Sequence, residues 1–361
     1  MLTDVSVYEA SEVAFSVETI QPKNQVDLSK TYFDLKGSPD SEQLLEVKLH
    51  NSTKQEVVVD SQIAPATTNL NGVVEYSPRE QKLDPTLKYD LSKLLTYADE
   101  KQKDGIVLPK ESETILKLKL KYPKDAFDGS IAGGITFKEK KKNIEDDKEA
   151  KGLSIQNDYA FVVAVVLHGS ENEITSKLEM PSVAAGQVNA RNVINATLQN
   201  PQPKYLSQLK VDAKVTRLDK KEVLYQVTKD QMQMAPNSNF DFPVSLEGNP
   251  LAPGKYTLTL RADSFEDTWT FSKNFVVTSK QAKELNEKDV TINKNWTWLY
   301  ISVGVFLLLA FLIIAVYLYR RNKKKEQVKR KKRLKEQMKR SKKRKSSANK
   351  KKKVRQYEDQ K

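Results

Sequence analysis

Between residues 13 and 278, apolar and polar positions alternate in short runs broken by turn residues, the period of two that half-buried strands require. The clearest run is ILKLKLKYP, 115–123, which predicts a strand with its leucines in a core and its lysines in water. In the first half, strands are expected over 13–19, 44–51, 56–63, 72–76, 115–121 and 131–139. LLEVKLHN and EVVVDSQI read as two strands around the polar turn STKQ. NDYAFVVAVVLHG is almost continuously apolar and β-branched, so the strand over 159–168 is expected to be buried on both faces. The charged stretch KEKKKNIEDDKEAKG before it reads as the solvated loop of a hairpin with 131–139. Leu91, Leu94, Leu95 and Ala98 recur at helical spacing and predict one short helix in a connection. A second set of strands begins near Ser176, over 193–198, 209–217, 222–227, 239–245, 254–262 and 268–277.

This spacing predicts a mainly β chain with two immunoglobulin-like β-sandwiches in tandem, over 12–168 and 169–279. Residues 280–295 are polar, show no strand pattern, and read as a stalk.

The pattern then changes. WTWLYISVGVFLLLAFLIIAVYLY, 296–319, carries no charge in 24 residues and predicts a transmembrane α-helix about 36 Å long, enough for a hydrocarbon core of about 30 Å. Trp and Tyr sit at both ends, at headgroup level. From Arg320 to the end, 23 of 42 residues are Lys or Arg against 4 acidic ones, a net of +19. The positive-inside bias places this basic tail, 320–361, in the cytoplasm and the N-terminal region outside the cell, as a single-pass protein of the cell membrane. The opposite topology would require the +19 segment to cross the bilayer. The tail lacks interleaved aromatics and begins one residue after the span, so anionic lipids are its expected contact rather than nucleic acid. The part before the span is near −5, so the alkaline pI of about 9.4 belongs to the tail.

There is no cysteine, hence no disulfide framework or thiolate metal site. The opening MLTDVSVYEASEVAF has neither a basic n-region nor an apolar h-region, and residues 1–11 read as the remnant of a signal peptide cleaved near Ala10. Reaction chemistry is sparse. His50 and His168 each lie in a strand run and read as ordinary strand residues rather than ligands. GSIAGG lacks the Lys-Ser/Thr ending of a phosphate loop, and Glu145, Asp146 and Asp147 stand among lysines as solvated charge. No cofactor, metal site or catalytic residue is expected. A pair of carboxylates cleaving wall glycan is the alternative, and nothing in the sequence singles out such a pair.

Several strings are similar to one family. FSVETIQPKNQVDLSKTYFDL, ATTNLNGVVEYS and FDGSIAGGITF resemble the first domain of the WxL-interacting proteins, surface proteins of Gram-positive bacteria. GQVNARNVINATLQNPQP, LAPGKYTLTLRADS and FSKNFVV resemble their second domain. The resemblance implies a peptidoglycan-binding first domain, a host-binding second domain, a membrane anchor, and action beside WxL-domain surface proteins, in a non-enzymatic adhesin or scaffold. A host extracellular-matrix component is the further implied partner. Saccharide recognition combines amides and hydroxyls with an aromatic face, which makes Thr67, Thr68, Asn69, Asn71 and Tyr76 the ligand-binding candidates in the first domain. Asn189, Arg191 and Asn192 are those in the second.

Overall fold

The computed structural model describes residues 13–80, 82–140, 159–265, 267–292 and 297–358. It divides into two compact units, Met1–Ile292 and Asn293–Lys361. The expected signal remnant, the acidic triplet and most of the charged hairpin loop lie outside the described residues.

The first unit holds both sandwiches. In the first, β1 (Phe15–Ile20), β3 (Glu42–Asn51), β9 (Ser112–Lys121) and β7 (Leu95–Tyr97) form a sheet in the order β1-β3-β9-β7. The facing sheet runs β2-β11-β10-β4-β8, from β2 (Phe33–Lys36), β11 (Ala160–His168), β10 (Ser130–Glu139), β4 (Val57–Pro65) and β8 (Ile106–Leu108). β9 meets the expectation for its sequence: Leu116, Leu118 and Leu120 are buried while Lys117, Lys119 and Lys121 face water. Phe33, Leu45, Leu49, Ile135, Phe137 and Leu167 close the core from both sheets. Each such side chain contributes about 1.5–3 kcal/mol by leaving water.

STKQ carries the chain from one sheet to the other. Buried Asn51 holds that corner, donating to Gln55 O at 2.8 Å, Leu108 O at 3.1 Å and Pro109 O at 2.9 Å. β10 and β11 pair antiparallel from Ser130↔His168 to Lys138↔Ala160, the expected hairpin. Burial on both faces of β11 holds only over Val165–Leu167; Val162 is 44% exposed. The expected helix is a single turn, α1 (Leu91–Leu94), capped by Asp90, because Leu95 turns into β7 and pairs with Leu120.

The second sandwich packs the sheet β12-β13-β16, from β12 (Glu179–Val188), β13 (Arg191–Asn200) and β16 (Ser238–Ser245), on the sheet β15-β14-β17-β18. The latter comprises β14 (Leu206–Arg217), β15 (Val223–Met234), β17 (Gly254–Ser264) and β18 (Asp267–Val277). β12 escapes sequence reading because it contains Pro181 and Gly186; as an edge strand with an irregular register it tolerates both. The expected stalk also differs: α2 (Ser279–Lys288) is capped by Thr278 and packs Ala282 and Leu285 on the second core. Its C-cap, Asp289, accepts from Asn192 N at 2.7 Å and Thr291 N at 2.7 Å.

The second unit is one helix, α3 (Thr297–Glu358), whose apolar part is long enough to cross a membrane. Phe306 and Ile313 are exposed along it, as a lipid-facing helix requires.

β10 is approached closely on both faces because residues 133 and 134 are glycine. A Cβ at Gly133 would collide with Ala64 O and with Leu91 of α1; one at Gly134 would lie 2.7 Å from both Tyr76 Cβ and Tyr76 O. Gly134→Ala is therefore expected to displace the Tyr76 segment and destabilise the chain by about 1–3 kcal/mol, read by urea denaturation.

Candidate functional site

ATTNLNGVVEYS, FDGSIAGGITF and the end of GQVNARNVINATLQNPQP meet where the sandwiches join. Asp84, only 6% exposed, reaches from the first sandwich to the second. Its carboxylate accepts from Gln199 Nε2 at 3.0 Å to each oxygen, from Asn239 Nδ2 at 2.5 Å, and from Thr86 N at 2.8 Å and Oγ1 at 2.6 Å. Burial raises its pKa, but the hydrogen bonds from Asn239, Thr86 and Gln199 outweigh that and hold it below the ordinary value.

A two-stranded ribbon, β5 (Thr67–Thr68) with β6 (Val74–Glu75), forms the second contact. Thr68 Oγ1 bonds Ser238 Oγ at 2.7 Å and accepts from Ala235 N at 3.0 Å, and Gln233 N donates to Gly72 O at 2.6 Å. Gly72, at φ +71°, lies against Met232, a turn and an approach that both favour glycine. Ser130 N donates to Pro203 O at 2.8 Å, next to Gly129. Ala66 and Ala132 pack with Ala235 over this joint, and Tyr76 OH meets Tyr205 OH at 3.3 Å. Burial, with the neighbouring Tyr76, pushes the Tyr205 phenol far above its ordinary value, so it stays protonated.

Two of the concavities in this unit bear on the site. One is a groove of about 510 Å³ wholly within the first sandwich, beside β4, α1 and β7. Ile63 and Tyr97 are half-buried in its wall, and Gln62, Ser92 and Thr96 are exposed along it. Tyr97 OH donates to Ser61 O at 2.8 Å, which fixes the ring. The other is a cleft of about 350 Å³ lined by both sandwiches, with Lys88, Tyr89, Phe127 and Asp128 on one side and Pro203, Pro236 and Asn237 on the other.

The candidates from sequence fall in two separate places. Thr67, Thr68, Asn69, Asn71 and Tyr76 all belong to the ribbon at the joint. Thr68 is fully buried, and Thr67 Oγ1 is buried without a partner. Asn69 closes its own turn, accepting from Asn71 N at 2.8 Å and Val73 N at 3.1 Å and donating to Glu75 Oε1 at 2.6 Å. Asn71 is exposed. Asn189, Arg191 and Asn192 lie at the far end of β13, roughly 30 Å away by strand rise. Asn189 forms the turn at φ 49°, Arg191 is exposed, and buried Asn192 bonds Asn286 Oδ1 at 2.8 Å. Sequence reading missed Gln62 and Thr96, and Tyr89 and Phe127, because only the fold brings their segments together. His168 bonds Asp34 at 2.5 Å, whereas His50 Nδ1 is buried without a partner; they lie on opposite sheets. Among the described residues, no three His, Cys, Asp or Glu side chains are grouped to hold a metal.

Two family models match the chain in order: WxL Interacting Protein, peptidoglycan binding domain, over residues 15–139, and WxL Interacting Protein, host binding domain, over 150–287. No curated protein matches it. Among solved structures it is similar to the class 5 fimbriae chaperone CfaA, at 13% identity over 73% of this chain and 99% of that one, TM-score 0.28. It is also similar to the E. coli chaperone DraB, at 15% identity over 73% and 98%, TM-score 0.26. A third is the Acinetobacter baumannii CsuC–CsuE chaperone and tip-adhesion subunit complex, at 11% over 64% and 90%, TM-score 0.30.

Because the Asp84 pKa is lowered on folding, its contribution is complete above the unfolded value of about 4 and is lost as pH falls through the folded value. Asp84→Ala removes the carboxylate that joins Gln199 and Asn239 to the first sandwich, at a cost of about 1–3 kcal/mol. Calorimetry at pH 7 is expected to show one unfolding transition for the natural chain and two for the variant; acidification through the folded value should split the natural chain's transition as well.

Proposed function

This chain belongs to the WxL-interacting protein family, and we propose that it is a membrane-anchored surface scaffold that grips peptidoglycan with its first sandwich. The second sandwich then presents a face to a host surface component, such as an extracellular-matrix protein, or to a co-encoded WxL-domain surface protein. α3 crosses the membrane once, with the basic tail in the cytoplasm against anionic lipid. The scaffold holds and presents its ligands without transforming them.

The observation that carries this reading is the coincidence of the groove beside β4 with the peptidoglycan-binding match, since every residue lining it lies between 61 and 103. Its chemistry favours a glycan: the half-buried Tyr97 offers apolar surface, and the Gln62 amide and the Ser92 and Thr96 hydroxyls supply directional hydrogen bonds. Exposed Asn71 is an outlying contact for the glycan and exposed Arg191 a contact for the ligand of the second sandwich, with Thr67, Asn69 and Tyr76 supporting the ribbon beneath Asn71.

Detergent-solubilised chain is expected to pellet with purified peptidoglycan without releasing sugars or peptides. The double variant Gln62→Ala/Thr96→Ala should lose at least tenfold in bound fraction at limiting peptidoglycan, with its melting midpoint unchanged. Undiminished pelleting would contradict the groove, and released muropeptides would favour a hydrolase.

A further inference from the structure

The cleft between the sandwiches is built from residues that neither domain alone brings together. Tyr89 and Phe127 stand with ring centroids 5.9 Å apart and planes inclined at 58°, an angled pair of apolar faces rather than a closed stack. Pro203 and Pro236 form the opposite wall from the second sandwich. Polar groups share the lining. Lys88 Nζ is 4.9 Å above the Tyr89 ring, and Asp128 is held by Asn172 Nδ2 at 2.8 Å and by Ser170 Oγ. Asn237 is fixed by its Nδ2 donating to Pro201 O at 2.8 Å.

The cleft is also preformed. Thr86 and Asn237, on its two walls, belong to the network around Asp84, and Ser130 is bonded across the joint to Pro203. A ligand entering would not have to bring the domains together first, which removes an ordering cost from binding.

We propose that this cleft is a second saccharide site, holding one or two sugar rings of an amino-sugar glycan between the sandwiches. The volume of about 350 Å³ suits one or two pyranose rings. Ring faces pack against the C–H face of a sugar, and the Asp128 carboxylate, the Asn237 amide and the Thr86 and Ser130 hydroxyls in the lining match its hydroxyl and acetamido groups. One cation and one anion, Lys88 and Asp128, leave the lining near neutral, which suits an uncharged glycan better than a charged peptide or phosphate. The choice of an amino sugar rests on the peptidoglycan reading above; the cleft's chemistry does not. A glycan held here as well as in the groove would be gripped at two points of one rigid body, raising effective affinity without new contacts.

The test is calorimetric titration of chitotriose into the full-length chain in detergent micelles. The natural chain is expected to bind it. Tyr89→Ala should weaken binding at least tenfold while Tyr89→Phe retains it, and Gln62→Ala/Thr96→Ala should keep the cleft component. Ala126→Trp fills the cleft without deleting a core contact and should abolish that component, which keeps the test decisive if Tyr89→Ala fails to fold. Binding unchanged in both Tyr89→Ala and Ala126→Trp would overturn the proposal, as would its complete loss in the groove variant. A chain that pellets with peptidoglycan yet gives no heat with chitotriose contradicts the cleft alone. One that binds chitotriose but does not pellet contradicts the groove reading alone.

Discussion

Asp84 crosses from one sandwich to the other with its charge largely withdrawn from water, and this is stable only because five hydrogen bonds from Gln199, Asn239 and Thr86 replace its hydration. A buried carboxylate with anything less would cost several kcal/mol, so the network enforces one relative position of the domains. The ribbon with Thr68 and the approach of Gly129 to Pro203 reinforce the same position from either side. Tandem sandwiches joined by a short segment would otherwise be free to swing. Here the cleft, lined by both sandwiches, depends on that joint, whereas the groove lies wholly within the first sandwich.

This explains the chemistry of the sequence strings. ATTNLNGVVEYS, FDGSIAGGITF and VINATLQNPQP set amides, hydroxyls or glycines in and beside expected strands, and the first of them has the composition expected of a saccharide site. In the folded chain some of those groups hold the domains together, Thr68 against Ser238 and Gln199 against Asp84, while Asn200 braces the second sandwich itself, donating to Lys204 O at 2.7 Å and Ala235 O at 3.0 Å. Polar residues beside a strand turn suit a ligand and an inter-domain contact equally well, and a sequence does not distinguish the two.

The strands were legible where a period of two is imposed by one core face, as in β9, or where β-branched residues run together, as in β11. Others were not. β2 and β8 are too short for periodicity, and β12 is written in Pro, Gly and Ala because its edge position removes the demand for packing. α2 was hidden because its apolar side is only Ala282 and Leu285, enough to dock but not to register against so many charges. The polar groups along the groove were invisible for a different reason. Gln62 and Thr96 stand 34 positions apart in the chain and share a wall only because β4 and β7 come from opposite sheets.

On the proposed reading this two-domain body lies outside the cell, bound to wall and tethered by α3, and the 23 basic residues in the last 42 hold the other end inside. Protease digestion of intact, wall-stripped cells tests that placement most directly. The account predicts that the folded part preceding the span is removed while a fragment containing the apolar helix and basic tail survives until the membrane is permeabilised. A folded part that survives while the tail is trimmed from outside would contradict it.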